Sequence, residues 1–257
     1  MLRIKRFFRT VIAILLLSFL YFADPDGFNE IVNEYLNQNQ SAPSDTIVED
    51  LVLLSNLPGY SGDPAIVLNY NRPFFLDEPN EMYKTTVSYE YYAPLDDLGR
   101  CTYAEANIGM DLMPKGDERE DISKVKPSGW WNKPYDFVDG GYLYNRCHLI
   151  AYMLTGENDN DRNLITGTRY FNVTGMLPYE LMVCDYIEDT NNHVLYRVTP
   201  IYTGDNLVAD GVVMEAYSVE DNGEGVEFCI FVYNIQPEVI IDYLTGDNWA
   251  AGYSDGE

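Results

Sequence analysis

The chain holds two histidines, His148 and His193. An ordinary histidine, with a pKa near ~6.5, is mostly neutral at pH 7 and can accept a proton from water. His148 lies in the run Tyr142–Tyr152, where a period of two puts Tyr142, Tyr144, Arg146 and His148 on one strand face. Leu143, Asn145, Cys147 and Leu149 take the other. A base and a guanidinium therefore project together. His193 falls in Asn191-Asn192-His193 and reads as a turn residue.

Downstream of His148, Asn163, Asn172 and Glu180 follow at spacings of 15, 9 and 8 residues. A hard divalent cation such as Mg²⁺ takes oxygen ligands, keeps several waters, and needs only one or two protein groups plus a substrate phosphate. One Asn carbonyl suffices. Being neutral, it leaves the ion's charge available to a phosphoryl oxygen and a leaving alkoxide, and Glu180 can orient the ion's outer waters. Taken singly, each residue has a plainer use: Asn163 and Asn172 as turn or cap residues, Glu180 as a favourable helix-start carboxylate, Arg146 as a surface arginine. The joint spacing favours the chemical reading.

Pro178 is well placed as the first residue of a helix running to about Thr190, with Glu180 in its first turn and Gly175 leading in. Ala65–Leu68, bounded by Gly62, Pro64 and Asn69, reads as a first strand, and Tyr83–Tyr92 as a second. Asn107–Pro134 is rich in Gly, Pro and charge and reads mostly as loop; Glu157–Arg162 is a polar turn. Val194–Tyr202, Gly211–Val219 and Val226–Asn234 are strands by alternation and β-branching. There is no internal repeat. This order argues a single α+β domain with a mixed or antiparallel sheet, spanning 51–257.

The runs Tyr144-Asn145-Arg146-Cys147-His148-Leu149 and Asn163-Leu164-Ile165-Thr166-Gly167-Thr168-Arg169-Tyr170-Phe171-Asn172, followed by Glu180, resemble the DNA/RNA non-specific endonuclease family of ββα-metal (His-Me finger) nucleases, and within it the bacterial DNA-entry and secreted branch. That family carries Asp-Arg-Gly-His on a hairpin strand, two Asn nine apart and a Glu eight further on. This chain departs from it at Asn145 and Cys147, and the likeness extends from about Leu51 to Asp247. The resemblance implies a ββα-metal core and sequence-independent cleavage of DNA and RNA that leaves 5′-phosphate and 3′-hydroxyl ends. It also implies Mg²⁺ as cofactor, with Mn²⁺ as substitute. By the same resemblance His148 is the general base, Asn172 the direct metal ligand, and Glu180 the holder of the ion's water shell. Asn163 positions the catalytic loop, Arg146 contacts phosphate, and Arg169 is a second candidate for that task.

Composition sets the surroundings. With 46% apolar and 14% aromatic residues, the 257-residue chain can bury a sizeable core. Its formal charge of −25 is far from that of an ordinary nucleic-acid binder. The segment Arg100–Arg169 is locally close to neutral, whereas Pro200 onward has 12 acidic residues and no Lys or Arg. Weak, salt-sensitive binding and a marked need for Mg²⁺ follow.

Arg3, Lys5, Arg6 and Arg9 precede an uncharged apolar run from Val11 to Ala23, which reads as an export signal or a retained anchor over 1–23. A polar tether covers 24–50. The product is then extracellular or held on the outer membrane face. Cys101, Cys147, Cys184 and Cys229 allow three disulfide pairings or buried thiols. Two other functions compete: a catalytically silent nucleic-acid-binding module of the same fold, and a cysteine hydrolase using Cys147. The second would need His193, because Cys147 and His148 point to opposite faces of a strand.

Overall fold

The three C-terminal strand segments, continuous in β-branched and aromatic residues, form the centre of a six-stranded sheet whose pairings are all antiparallel. The computed structural model describes residues 57–252 except 117, 118 and 120. The expected signal or anchor, the tether and residues 51–56 lie outside the described residues. From Tyr60 onward the chain forms one compact unit.

The strands are β1 (Ala65–Val67), β2 (Tyr89–Tyr92), β3 (Ala104–Ile108), β4 (Tyr144–His148), β5 (Leu164–Thr168), β6 (Val194–Ile201), β7 (Gly211–Ser218), β8 (Glu227–Tyr233), β9 (Val239–Ile241) and β10 (Asn248–Ala250). The large sheet runs β1-β8-β7-β6-β3-β2, with β4-β5 and β9-β10 as separate hairpins. Helix α1 covers Tyr152–Thr155 and α2 covers Leu177–Thr190, with Pro178 in its first turn. Among the described residues no helix is long and apolar enough to cross a membrane.

The sheet is buried on both faces, and the two faces differ chemically. One carries Ala104, Ala106, Ile108, Tyr196, Val198, Met214, Ile230 and Val232, which form a single core with Phe171, Met176, Val183 and Ile187 below the helix and with Cys147 and Ile165 of the hairpin. That core seats the β4-β5 hairpin and α2 against one surface, where burial of aliphatic side chains contributes about 1.5–3 kcal/mol each. The opposite face carries charge. Glu105, Arg197 and Glu215 are neighbours across β3, β6 and β7. Arg197 donates to Glu105 (Nε, 2.7 Å) and Glu78 (Nη1, 2.5 Å), and Tyr89 donates its hydroxyl to Glu105 at 2.7 Å. Short 3-10 turns at Phe74–Asp77 and Met82–Lys84 cover this face.

Two expectations need correction. Only Tyr89–Tyr92 of the expected strand Tyr83–Tyr92 is extended; Glu81 enters the left-handed region at φ 52°, and the chain turns over Met82–Lys84 before pairing begins. Strand β3 was not anticipated, because Glu105 and Asn107 interrupt its apolar pattern. Both are held inside: Glu105 accepts from Arg197, and Asn107 donates its Nδ2 to the carbonyls of Thr85 and Val87 at 2.9 and 3.0 Å while its buried Oδ1 takes no partner. The four cysteines are buried thiols and none pairs in a disulfide.

Glu215 accepts the main-chain N–H groups of Phe74 and Phe75 at 2.6 and 3.3 Å. Burial pushes its carboxyl up to about 7 against the pull of Arg197 and those two N–H groups, with Glu78 adding to the rise. A folded pKa above the unfolded one leaves stability whole below the ordinary value of 4.5 and removes it as pH rises towards 7. Glu215→Gln keeps an acceptor for Phe74 and Phe75 and removes the titration. Its urea-unfolding stability relative to wild type should gain nothing at pH 4.5 and roughly 1–3 kcal/mol at pH 8.

Candidate active site

The β4-β5 hairpin pairs Tyr144 with Thr168, Arg146 with Thr166 and His148 with Leu164. Beyond β5 the chain enters a π-helical turn, Phe171–Met176, which continues into α2. Asn172 and Glu180 thus lie on one helical element. Eight residues of pure α-helix would leave them about 80° apart around the axis, and the extra residue of the π turn takes up that offset. The carbonyl of Asn172 accepts from Leu177 N–H, the bond that widens the turn. A side chain at Gly175 would overlap Val232, so glycine there lets the turn press onto the sheet.

A cleft of about 610 Å³ opens between hairpin and helix, and His148, Arg146, Arg169, Asn172 and Glu180 all line it. Asn163 stands behind its wall, fully buried. Asn163 Oδ1 accepts from Ile150 N–H at 2.9 Å and its Nδ2 donates to Ile150 O at 3.0 Å, while its own carbonyl accepts from Leu149 N–H at 2.8 Å. It fixes the chain immediately after His148.

His148 Nε2 lies 2.9 Å from the carbonyl oxygen of Asn158. A carbonyl only accepts, so Nε2 carries the proton and Nδ1 of the neutral ring is left as the acceptor. Burial, reinforced by the positive charge of Arg119, holds the pKa of His148 below its ordinary value against the raising effect of the Asn158 carbonyl, which keeps the ring neutral at pH 7. Glu180 is 6% exposed, and burial alone pushes its carboxyl up to about 8. No protein group hydrogen-bonds the side chains of Asn172 or Glu180 among the described residues. Their oxygens open on the cleft, where water or an ion satisfies them. A divalent cation that keeps its waters does so, and the donor set fits one: a neutral amide oxygen for direct contact and a carboxylate for the water shell. Among the described residues no group of three His, Cys, Asp or Glu forms a metal site, so the Asn-centred arrangement is the one the cleft supplies.

Arg146 and Arg169 line the cleft and also bind within the protein. Arg146 Nε donates to Val125 O at 2.5 Å and Nη2 to Ser123 O at 2.8 Å, while its guanidinium stacks on Trp130 at 4.2 Å from the ring centroid. It straps the 123–125 loop to the hairpin, and two of its five N–H groups are spent doing so. Arg169 forms an ion pair with Asp139. Arg119, which sequence reading passed over, lines the same cleft and stacks on Tyr152 at 4.6 Å. Its only signal was a lone cation within an acidic stretch, Asp117-Glu118-Arg119-Glu120-Asp121.

The departures from the family motif have separate local consequences. Cys147 is fully buried, and a Cβ built on Gly167 would come within 2.5 Å of its Sγ, so Gly167 is what leaves the sulfur room. Asn145, expected on the face away from the cleft, also borders it, and its cross-strand partner is the same Gly167. Cys147 is no nucleophile: burial raises its thiol well above the ordinary value, and His193 is bound to Glu220 at 2.6 Å, outside the cleft.

A hairpin-and-helix frame that brings a neutral histidine and unpaired amide and carboxylate oxygens to one cleft holds the groups that metal-assisted phosphodiester hydrolysis uses. The family model for DNA/RNA non-specific endonucleases matches residues 79–220, and the chain belongs to that family of phosphodiester hydrolases. It is similar to NucA from Streptococcus agalactiae, solved with a magnesium ion bound: 26% identity over 82% of this chain and 98% of that one, TM-score 0.65. The metal-free NucA structure aligns at 25% identity over 82% of this chain and 100% of that one, with the same TM-score. The Sda1 nuclease, solved with a zinc ion bound, aligns at 31% identity over 65% of this chain and 82% of that one, TM-score 0.58. No curated protein matches the chain.

Replacing Asn163 by Ala strands the Ile150 N–H and carbonyl in the core. The expected cost is about 2–4 kcal/mol in urea unfolding, with a fall in cleavage rate as the His148 segment loosens, and Asn163→Asp, which sets a carboxylate oxygen against the Ile150 carbonyl in the core, should cost at least as much at neutral pH.

Proposed function

We propose that this protein is an exported, Mg²⁺-dependent endonuclease that cuts DNA and RNA without sequence preference, with Mn²⁺ able to substitute. The observation that carries this reading is the meeting of His148 with the unpaired oxygen donors of Asn172 and Glu180 in one cleft. Magnesium bound to one relative and zinc to another support a divalent cation here. Export is supported by the basic, then apolar, N-terminal run.

In this reading Asn172 holds the cation directly and Glu180 holds its water shell. When bound, the cation supplies positive charge to the phosphoryl oxygen and the departing 3′ oxygen. Nδ1 of His148 takes the proton of the attacking water, a contribution of typically about 10²–10⁴-fold. The Nε2 bond to Asn158 O holds the ring in the required tautomer and stabilises the imidazolium that forms. Asn163 is a positioning residue and touches no substrate. Arg119 and Arg169 draw the backbone phosphates in, and Arg146 keeps the 123–125 loop against the cleft while turning its remaining N–H groups to the same task.

Among the described lining residues three arginines, Arg119, Arg146 and Arg169, face two carboxylates, Asp139 and Glu180. The cleft is thus a small positive island on a strongly acidic body, which permits capture of phosphate and release of product.

Purified protein should nick supercoiled plasmid with Mg²⁺ and stop on chelation. His148→Ala and Asn172→Ala should each lose about 10²-fold or more in rate while keeping the wild-type circular dichroism spectrum. Wild-type cleavage that persists in excess chelator, or full activity in His148→Ala, would contradict the reading. Binding without any cleavage would establish the silent-module alternative instead.

A further inference from the structure

Arg169 is the first residue after β5, and its main-chain N–H donates to Leu143 O at 2.8 Å, which fixes it across the hairpin from Tyr142 and Leu143. Its side chain is already occupied. Nε and Nη2 both donate to one oxygen of Asp139, at 2.9 and 2.8 Å. Asp139 stands in a tight turn closed by Gly141 N–H to Val138 O at 2.8 Å, with Gly140 and Gly141 at φ 79° and 78°. Val138 is buried beneath the turn, and the Asp139 side chain is 78% exposed. Asp139 and Arg169 line the same cleft as His148, Asn172 and Glu180.

The Nε/Nη2 edge is the one with which arginine grips phosphate as well as carboxylate. A phosphodiester oxygen offers the same charge and acceptor geometry as the oxygen Asp139 presents. An exposed pair of this kind contributes little to stability and exchanges readily.

We propose that Asp139 is a built-in phosphate mimic, a latch that holds Arg169 until the backbone of a nucleic acid displaces it. The latch orients the guanidinium towards its substrate edge and sets substrate affinity below what the cleft arginines could otherwise deliver. It rests on the reading above only in that the displacing anion is a phosphodiester. Asp139 acts through Arg169 and is a positioning residue.

The test uses the full chain in excess chelator, so that nothing is cut, and follows fluorescence anisotropy of a labelled DNA duplex over a range of salt. Asp139→Asn should tighten Kd about 3–10-fold at low salt. The slope of log affinity against log salt should steepen by roughly one unit, because one more cation meets phosphate. In an Arg169→Ala background Asp139→Asn should produce no gain. Equal gains in both backgrounds would reduce the effect to general charge and overturn the latch. Unchanged or weakened binding in Asp139→Asn would overturn it as well. Because binding is read without metal, a protein that cut nothing when loaded with Mg²⁺ would sink the nuclease reading and leave this test standing.

Discussion

The amide of Asn163 holds the site together. By accepting from the N–H of Ile150 and donating to its carbonyl, it reads one peptide unit on both sides and fixes the strand exit two residues after His148. Its backbone continues straight into β5, and β5 into the π turn that carries Asn172. A single buried side chain thereby sets the position of His148 relative to the helix that carries Glu180. Inside a core of this kind an amide with both ends satisfied is rigid, and the same amide half satisfied costs more than an apolar residue would.

The two faces of the large sheet divide the labour. The aliphatic face anchors hairpin and helix, so the cleft between them is a gap between two elements seated on one rigid floor. The other face buries Arg197 among Glu78, Glu105 and Glu215, more negative than positive charge, and uses that charge to hold the segment Phe74–Lys84 by its backbone and side chains. Such a network is costly in a dry interior and is tolerated because every carboxylate has a donor. Glu180 is different: buried, donorless and aimed at the cleft. What the sheet's polar face satisfies internally, the cleft leaves unpaired at Glu180.

Much of this was legible beforehand, for physical reasons that differ residue by residue. The helix from Leu177 to Thr190 announced itself through Pro178, which locks its own φ and needs no N–H partner in a first turn. The hairpin strand showed through the two-residue period that brings Arg146 and His148 to the cleft together and sends Cys147 inward. Strand β3 stayed hidden because a local pattern cannot tell that Glu105 will meet Arg197, 92 residues away. The π turn was invisible for a similar reason, since its geometry is set by how closely Gly175 can approach Val232. The spacing of His, Asn, Asn and Glu pointed to side chains that the fold gathers at one cleft, three lining it and Asn163 behind its wall. It did not reveal that Arg146 is spent on loop carbonyls, nor that Arg119 joins the cleft, because both depend on where an irregular, charge-rich loop comes to rest.

Asn172 and His148 line one cleft together with Glu180, and the central claim is that a divalent cation sits among them. A crystal soaked in Mn²⁺ and measured at the manganese absorption edge tests this directly. A single anomalous peak in the cleft, about 2.1–2.3 Å from Asn172 Oδ1 with water between it and the Glu180 carboxylate, is the expected result. A peak bound elsewhere on the acidic surface, with Asn172 and Glu180 left without an ion between them, would contradict it.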